Sequence, residues 1–215
     1  MQLKAENLSF RYGKKTPWIL QNINFSVDTG EIVVLSGPSG YGKSTLGKIL
    51  AGYLKPTRGQ VILDGKPLPH KGYNPVQMIY QHPEQAVNPR WKLGRTLKEG
   101  WEPDSRLLKS MGIEEEWLGR WPLELSGGEL QRFCIARVLG PSTRFLICDE
   151  VTTMLDPITQ AQIWEQILAV AKDRNLGVVV ITHNEELAGR LCGNSIHLPD
   201  LNAADIQGTL SPQNP

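Results

Sequence analysis

The sequence predicts an α/β fold: a parallel sheet core covered by helices, with an antiparallel β subdomain and an inserted helical subdomain. Three observations predict it. A glycine-rich turn, Gly37-Pro38-Ser39-Gly40-Tyr41-Gly42-Lys43-Ser44-Thr45, links an apolar strand to a helix. From residue 126 onward, helical and strand patterns alternate, which implies parallel strands joined by crossover helices. Between these regions, residues 83–122 hold four of the six tryptophans (Trp91, Trp101, Trp117, Trp121), several prolines and only short helical stretches.

Taken in order, residues 2–30 read as strands. Ile23, Phe25 and Val27 alternate with Asn24, Ser26 and Asp28, the period of a half-buried strand. Glu31-Ile32-Val33-Val34-Leu35-Ser36 is apolar and β-branched, and Leu46 to Ala51 has helical spacing ended by Gly52. Gln60-Val61-Ile62-Leu63 runs into the turn signal Asp64-Gly65. These strands form an antiparallel sheet beside the glycine-rich unit. The later spacing predicts helices at about 127–139, 158–173 and 185–191, with strands at 144–148, 178–182 and 195–198. The last dozen residues are polar and read as loosely ordered.

Bulk properties narrow the function classes. A net charge of +1 with no long block of like charge argues against a nucleic-acid partner. Cys134, Cys148 and Cys192 are scattered through apolar stretches and read as buried free thiols, which fits a reducing compartment. No apolar run approaches the roughly 20 residues of a membrane span, so any membrane role is expected to be peripheral.

Two motifs carry chemistry. The glycine-rich stretch fits G-x-x-x-x-G-K-[ST] between a strand and a helix. Such a turn aims several backbone N–H groups at one place, and the helix dipole adds positive potential, so a polyphosphate fits there. Lys43 is expected to reach the β and γ phosphates, and the Ser44 hydroxyl to hold Mg²⁺. The second motif is Arg144-Phe145-Leu146-Ile147-Cys148-Asp149-Glu150, a continuously apolar strand ending in two acids. Ligands of open α/β sheets bind outside the C-terminal strand ends. Asp149 is expected to hold Mg²⁺. Glu150, next along the strand and so pointing elsewhere, is expected to act as general base on water.

Leu125-Ser126-Gly127-Gly128-Glu129-Leu130-Gln131-Arg132 resembles the LSGGQ signature of ATP-binding-cassette (ABC) ATPases, with Glu129 for the usual glutamine. The resemblance spans roughly residues 1–200 and implies a P-loop NTPase core, with one nucleotide-binding domain at 1–205, a helical subdomain at about 83–140 and a polar tail at 206–215. It implies ATP as substrate and Mg²⁺ as cofactor. Tyr12 resembles the adenine-stacking aromatic, Gln81 the Q-loop glutamine near metal and water, Asp156 the D-loop at the dimer interface, and His183 the switch histidine on the γ phosphate. The signature residues Ser126, Gly127, Gly128 and Glu129 would face ATP bound to a second cassette. His70, His82 and His197 have no such context and read as surface or structural residues.

Three stretches are similar to the peptide and nickel importer branch, whose second cassette this chain resembles: Gln85 to Arg90, Thr152 to Asp156, and Ile158 to Trp164. That implies a non-identical partner cassette, membrane permease subunits and, indirectly, an extracytoplasmic substrate-binding protein, with this chain on the cytoplasmic face of the membrane. Most of the four tryptophans are expected in the lobe core. The branch carries a further C-terminal extension that these 215 residues lack, so metal or metallophore uptake is as well supported as peptide uptake. The rival is a non-transport ABC ATPase of DNA repair or the ribosome. Against it stand the short gap from Ser44 to Leu125, which has no sustained heptads, and the single cassette.

Overall fold

The computed structural model of the chain describes residues 1–69, 71–191 and 194–202. His70, Cys192 and the 206–215 tail lie outside the described residues.

Strands β1 (Gln2–Phe10) and β2 (Leu20–Asp28) form an antiparallel ribbon. β3 (Ile32–Ser36) then feeds α1 (Lys43–Leu50) through the glycine-rich loop. β4 (Arg58–Leu63) and β5 (Lys66–Pro67) form a hairpin whose turn is Asp64-Gly65, both with positive φ (52° and 77°). β6 (Val76–Ile79) follows. Short helices α2 (Leu93–Leu97) and α3 (Ser105–Ser110), with 3-10 turns around them, make the lobe. The chain returns through α4 (Gly127–Val138), β7 (Phe145–Asp149), α5 (Pro157–Asp173), β8 (Gly177–Ile181), α6 (Glu185–Leu191), β9 (Asn194–His197) and α7 (Leu198–Asn202).

Among the described residues the strands form two sheets: an antiparallel sheet ordered β2-β1-β4-β5 and a parallel sheet ordered β6-β7-β8-β3-β9. The parallel sheet divides the apolar interior in two. Leu146, Cys148, Val178 and Val180 face the core shared with α4, α5 and the lobe. Phe145, Ile147, Val179 and Ile181 face the core shared with α1 and the antiparallel sheet. Strand side chains alternate between faces, so β7 as far as Cys148, and β8, must be apolar at every position. Both are buried throughout.

The lobe departs from expectation in one respect. Only Trp117 is buried, while Trp101 is partly buried and donates its indole N–H to the Arg137 carbonyl at 2.7 Å. Trp121 is 42% exposed, with the Lys92 ammonium 6.0 Å from its ring. Trp91 stacks under the Arg95 guanidinium at 3.9 Å. Cations of the lobe surface thus hold two rings that hydrophobicity alone assigns to a core. Cys134 and Cys148 are buried free thiols, each pushed up to about 12 by burial.

Candidate functional site

The parallel sheet delivers the sequence-predicted residues to one rim, at the C-terminal ends of its strands. β3 ends at Ser36 and Lys43 begins α1. Gly42 is the helix cap with φ of 93°, and a side chain there would run into Ile19 and Leu20 at 2.7 and 3.0 Å. Only glycine meets both demands. The turn folds over Lys43, which is 6% exposed and donates from Nζ to the Gly37 and Pro38 carbonyls at 2.7 and 2.9 Å. Tyr41 stands outward, 44% exposed, between Gly40 and Gly42. Ser39 and Gly40 complete the exposed crest of the loop.

Ser44, in the first turn of α1, donates to Asp149 Oδ1 at 2.9 Å. Asp149 is buried at the end of β7. Burial pushes its carboxyl above the usual aspartate range, partly offset by the Ser44 hydrogen bond. A desolvated carboxylate beside a hydroxyl is an all-oxygen pair suited to a hard cation such as Mg²⁺.

Glu150 corrects the sequence expectation. It is not a further strand residue: β7 stops at Asp149, and Glu150 has a φ of 47°. Its N–H donates to the Ile181 carbonyl at 3.0 Å, and Thr153 Oγ1 donates to its carbonyl at 2.5 Å. The left-handed kink, rather than strand alternation, turns its side chain away from that of Asp149. The carboxylate meets His183 Nδ1 at 3.0 Å. The register explains the meeting, because Asp149 pairs with Ile181, two residues before His183. Gln81 is half-buried two residues past Ile79, which pairs with Cys148 on the adjacent strand.

Tyr12 lies just beyond β1, 65% exposed. Its ring meets Phe10 edge-on at 5.0 Å, and its hydroxyl lies 3.5 Å from Thr45 Oγ1. An open aromatic face is thereby held beside the first turn of α1. No local sequence pattern singles out His197 or Asn184. With Pro38, Thr182 and His183 they line a cavity of about 580 Å³ beside the loop. The parallel pairing of Ser36 with His197 puts it there, and no local pattern announces that pairing.

The signature residues form a separate site. Ser126 caps α4, and with Gly127, Gly128, Glu129 and Asp156 it lines a cavity of about 680 Å³ that shares no residue with the cavity at the loop. Asp156 caps α5, accepting from the Ile158 and Thr159 N–H groups; the Thr159 side chain, then these N–H groups, hold its carboxyl below the usual range. Leu130, Phe133, Cys134 and Val138 bury the inner face of α4.

Comparison with known proteins agrees with this geometry. The family model described as ABC transporter matches residues 20–153. The chain is 35% identical over 203 residues to the lipoprotein-releasing system ATP-binding protein LolD of Rickettsia bellii, covering 89% of this chain and 91% of that one. It is also 35% identical over 212 residues to the nickel import system ATP-binding protein NikE of Staphylococcus aureus, covering 92% and 87%. Among solved structures it is similar to the dimeric post-hydrolysis state of the ATP-binding cassette MJ0796 bound to ADP and Pi, with a TM-score of 0.72, 26% identity and coverage of 86% and 90%. It is similar too to cbiO1 from Clostridium perfringens, part of the ABC transporter complex cbiONQ, with a TM-score of 0.75, 26% identity and coverage of 91% and 83%. With this breadth of match over a P-loop, an acid-ended strand and a signature helix on one α/β frame, the chain belongs to the ABC transporter family, as one of its ATPases.

Proposed function

We propose that the chain binds MgATP at the rim of its parallel sheet, pairs there with a second cassette, and spends the hydrolysis on moving a nickel species or peptide inward through a membrane permease. The observation that carries the site reading is the convergence of Lys43, the Ser44–Asp149 pair and the Glu150–His183 pair on one rim. Lys43 and the loop amides of residues 37–45 would neutralise the phosphates once Nζ leaves the Gly37 and Pro38 carbonyls. Tyr12 would stack on adenine. Ser44, Asp149 and Gln81 would hold Mg²⁺, which would supply positive charge against the polyphosphate. Glu150 would take the proton of the attacking water, and His183, already in contact with it, would fix both that carboxylate and the γ phosphate.

The signature cavity lies apart from the loop cavity, so one chain supplies two half-sites. A second cassette, non-identical in the reading favoured here, would bring its own signature to the loop while Ser126, Gly127, Gly128 and Glu129 face its ATP. Asp156 would lie at the same junction. Among the described residues no helix is long and apolar enough to cross a membrane. Attachment at the cytoplasmic face would therefore run through permease subunits, with the extracytoplasmic binding protein reached only through them. A groove of about 730 Å³ between core and lobe, lined by Tyr53, Tyr73, Tyr80, Gln85 and Asn88, is the proposed seat of the permease segment, with Arg90 hydrogen-bonded to Asn88 on its wall.

Two facts support nickel or peptide import: the NikE relative, and the stretches at 85–90, 152–156 and 158–164. The equal identity to LolD supports a second reading, lipoprotein release. Cells whose only copy carries Glu150→Gln decide between them. Loss of labelled nickel uptake, with or without metallophore, or of dipeptide uptake, identifies the imported class. Normal uptake of both with stalled lipoprotein release assigns the chain to release instead.

A further inference from the structure

Position 129 is where the signature departs from its pattern, and the structure gives the departure a consequence. Glu129 Oε2 accepts the Ser126 N–H at 2.7 Å, while the Glu129 N–H donates to Ser126 Oγ at 3.3 Å. This reciprocal cap closes the N-terminus of the twelve-residue helix α4. Hydrogen bonding from Ser126, its N–H first and then its hydroxyl, holds the carboxyl below its usual range, so it is ionised at neutral pH. The end of the helix that attracts anions thus carries a negative charge of its own.

That charge has no ion-pair partner among the described residues, although the Arg120 guanidinium favours it from a distance. Arg132, in the same cavity, donates instead to the Met111 carbonyl and to Gln162 and Gln166. Arg120 is paired with Glu116 at 2.8 Å. The N–H groups of Gly127 and Gly128 have no acceptor among the described residues and remain for an incoming anion.

Resting on the reading that this face receives the second cassette's ATP, we propose that Glu129 sets the nucleotide concentration at which the two cassettes close. Its carboxylate takes up the Ser126 donor and meets the arriving γ phosphate as a like charge. The signature becomes a weakened clamp, closing only at higher ATP than a neutral residue would require. Glutamine is the informative replacement. Its amide oxygen accepts the same N–H, so the cap survives and only the charge is lost.

The test uses the whole transporter, purified through a tag on this chain, with ATPase activity followed against ATP concentration at low and high KCl. Glu129→Gln lowers the half-saturating ATP concentration roughly three- to tenfold at low salt. The gap between variant and wild type then narrows as KCl is raised, because added salt screens the repulsion in the wild type. An unchanged half-saturating concentration, or a gap indifferent to KCl, overturns the proposal. The melting temperature is expected to stay close to wild type. A large fall would mean that the carboxylate serves the cap and not the clamp, and overturns it as well. The Glu150→Gln transporter, assayed alongside, separates the two levels. Full turnover there removes the site reading itself, whereas lost turnover there with no shift in Glu129→Gln removes only this inference.

Discussion

Asp149 carries the clearest conflict between stability and chemistry at a single side chain. Its carboxyl is raised above the ordinary 3.8 mainly by burial. Between 3.8 and the raised value the folded chain holds more protons than the unfolded one, so stability falls as pH rises through that window. At neutral pH the nucleotide-free fold bears the whole penalty. Asp149→Asn keeps an acceptor for the Ser44 hydroxyl and removes the charge. It is expected to raise the melting temperature at pH 7 by about 2–4 °C, to flatten the pH dependence in that window, and to abolish ATP turnover. Differential scanning at several pH values checks this, and a lower melting temperature in the variant would contradict it.

At the scale of elements, β8 meets its surroundings most tightly at its first residue. A Cβ on Gly177 would lie 2.5 Å from the Phe145 ring and 2.7 Å from the Asp28 carbonyl, which is backbone and cannot rotate away. Gly177→Ala should therefore destabilise the chain by about 1–3 kcal/mol through overpacking, measured by urea unfolding, and an unchanged midpoint would refute the argument. Such contacts mark the boundary of what the sequence discloses. The loop at 37–45, the apolar strand 145–149 and the cap at Ser126 are local patterns, and β7, β8, α4 and α5 fall within a residue or so of their expected bounds. The Glu150–His183 contact depends on the register between β7 and β8, and the place of His197 depends on the pairing of β9 with β3. Those are long-range facts. The lobe tryptophans misled for a related reason. Arg95 and Lys92 stack on Trp91 and Trp121, and cation partners do not show in an apolar pattern.

For the whole molecule, the parallel sheet is the common frame. One core ties it to α4 and the lobe, and the other ties it to α1 and the antiparallel sheet. Motion proposed to start at the nucleotide must reach the permease through the lobe side of that frame. Arg90 is exposed there, its N–H fixed by the Asn88 side chain at 2.9 Å. Arg90→Glu is expected to leave the chain folded, with ATP turnover persisting while uptake falls at least tenfold; unchanged uptake would argue against the docking site. The frame also holds Glu150 in a left-handed backbone, at a φ of 47°. Such strain on a residue that is neither glycine nor asparagine costs about 1–3 kcal/mol. An unbiased search for heat-resistant forms of this chain should therefore keep returning to position 150, choosing asparagine or glycine. Its winners would be sturdier proteins and idle motors, so selection for robustness and selection for work pull in opposite directions at one peptide unit.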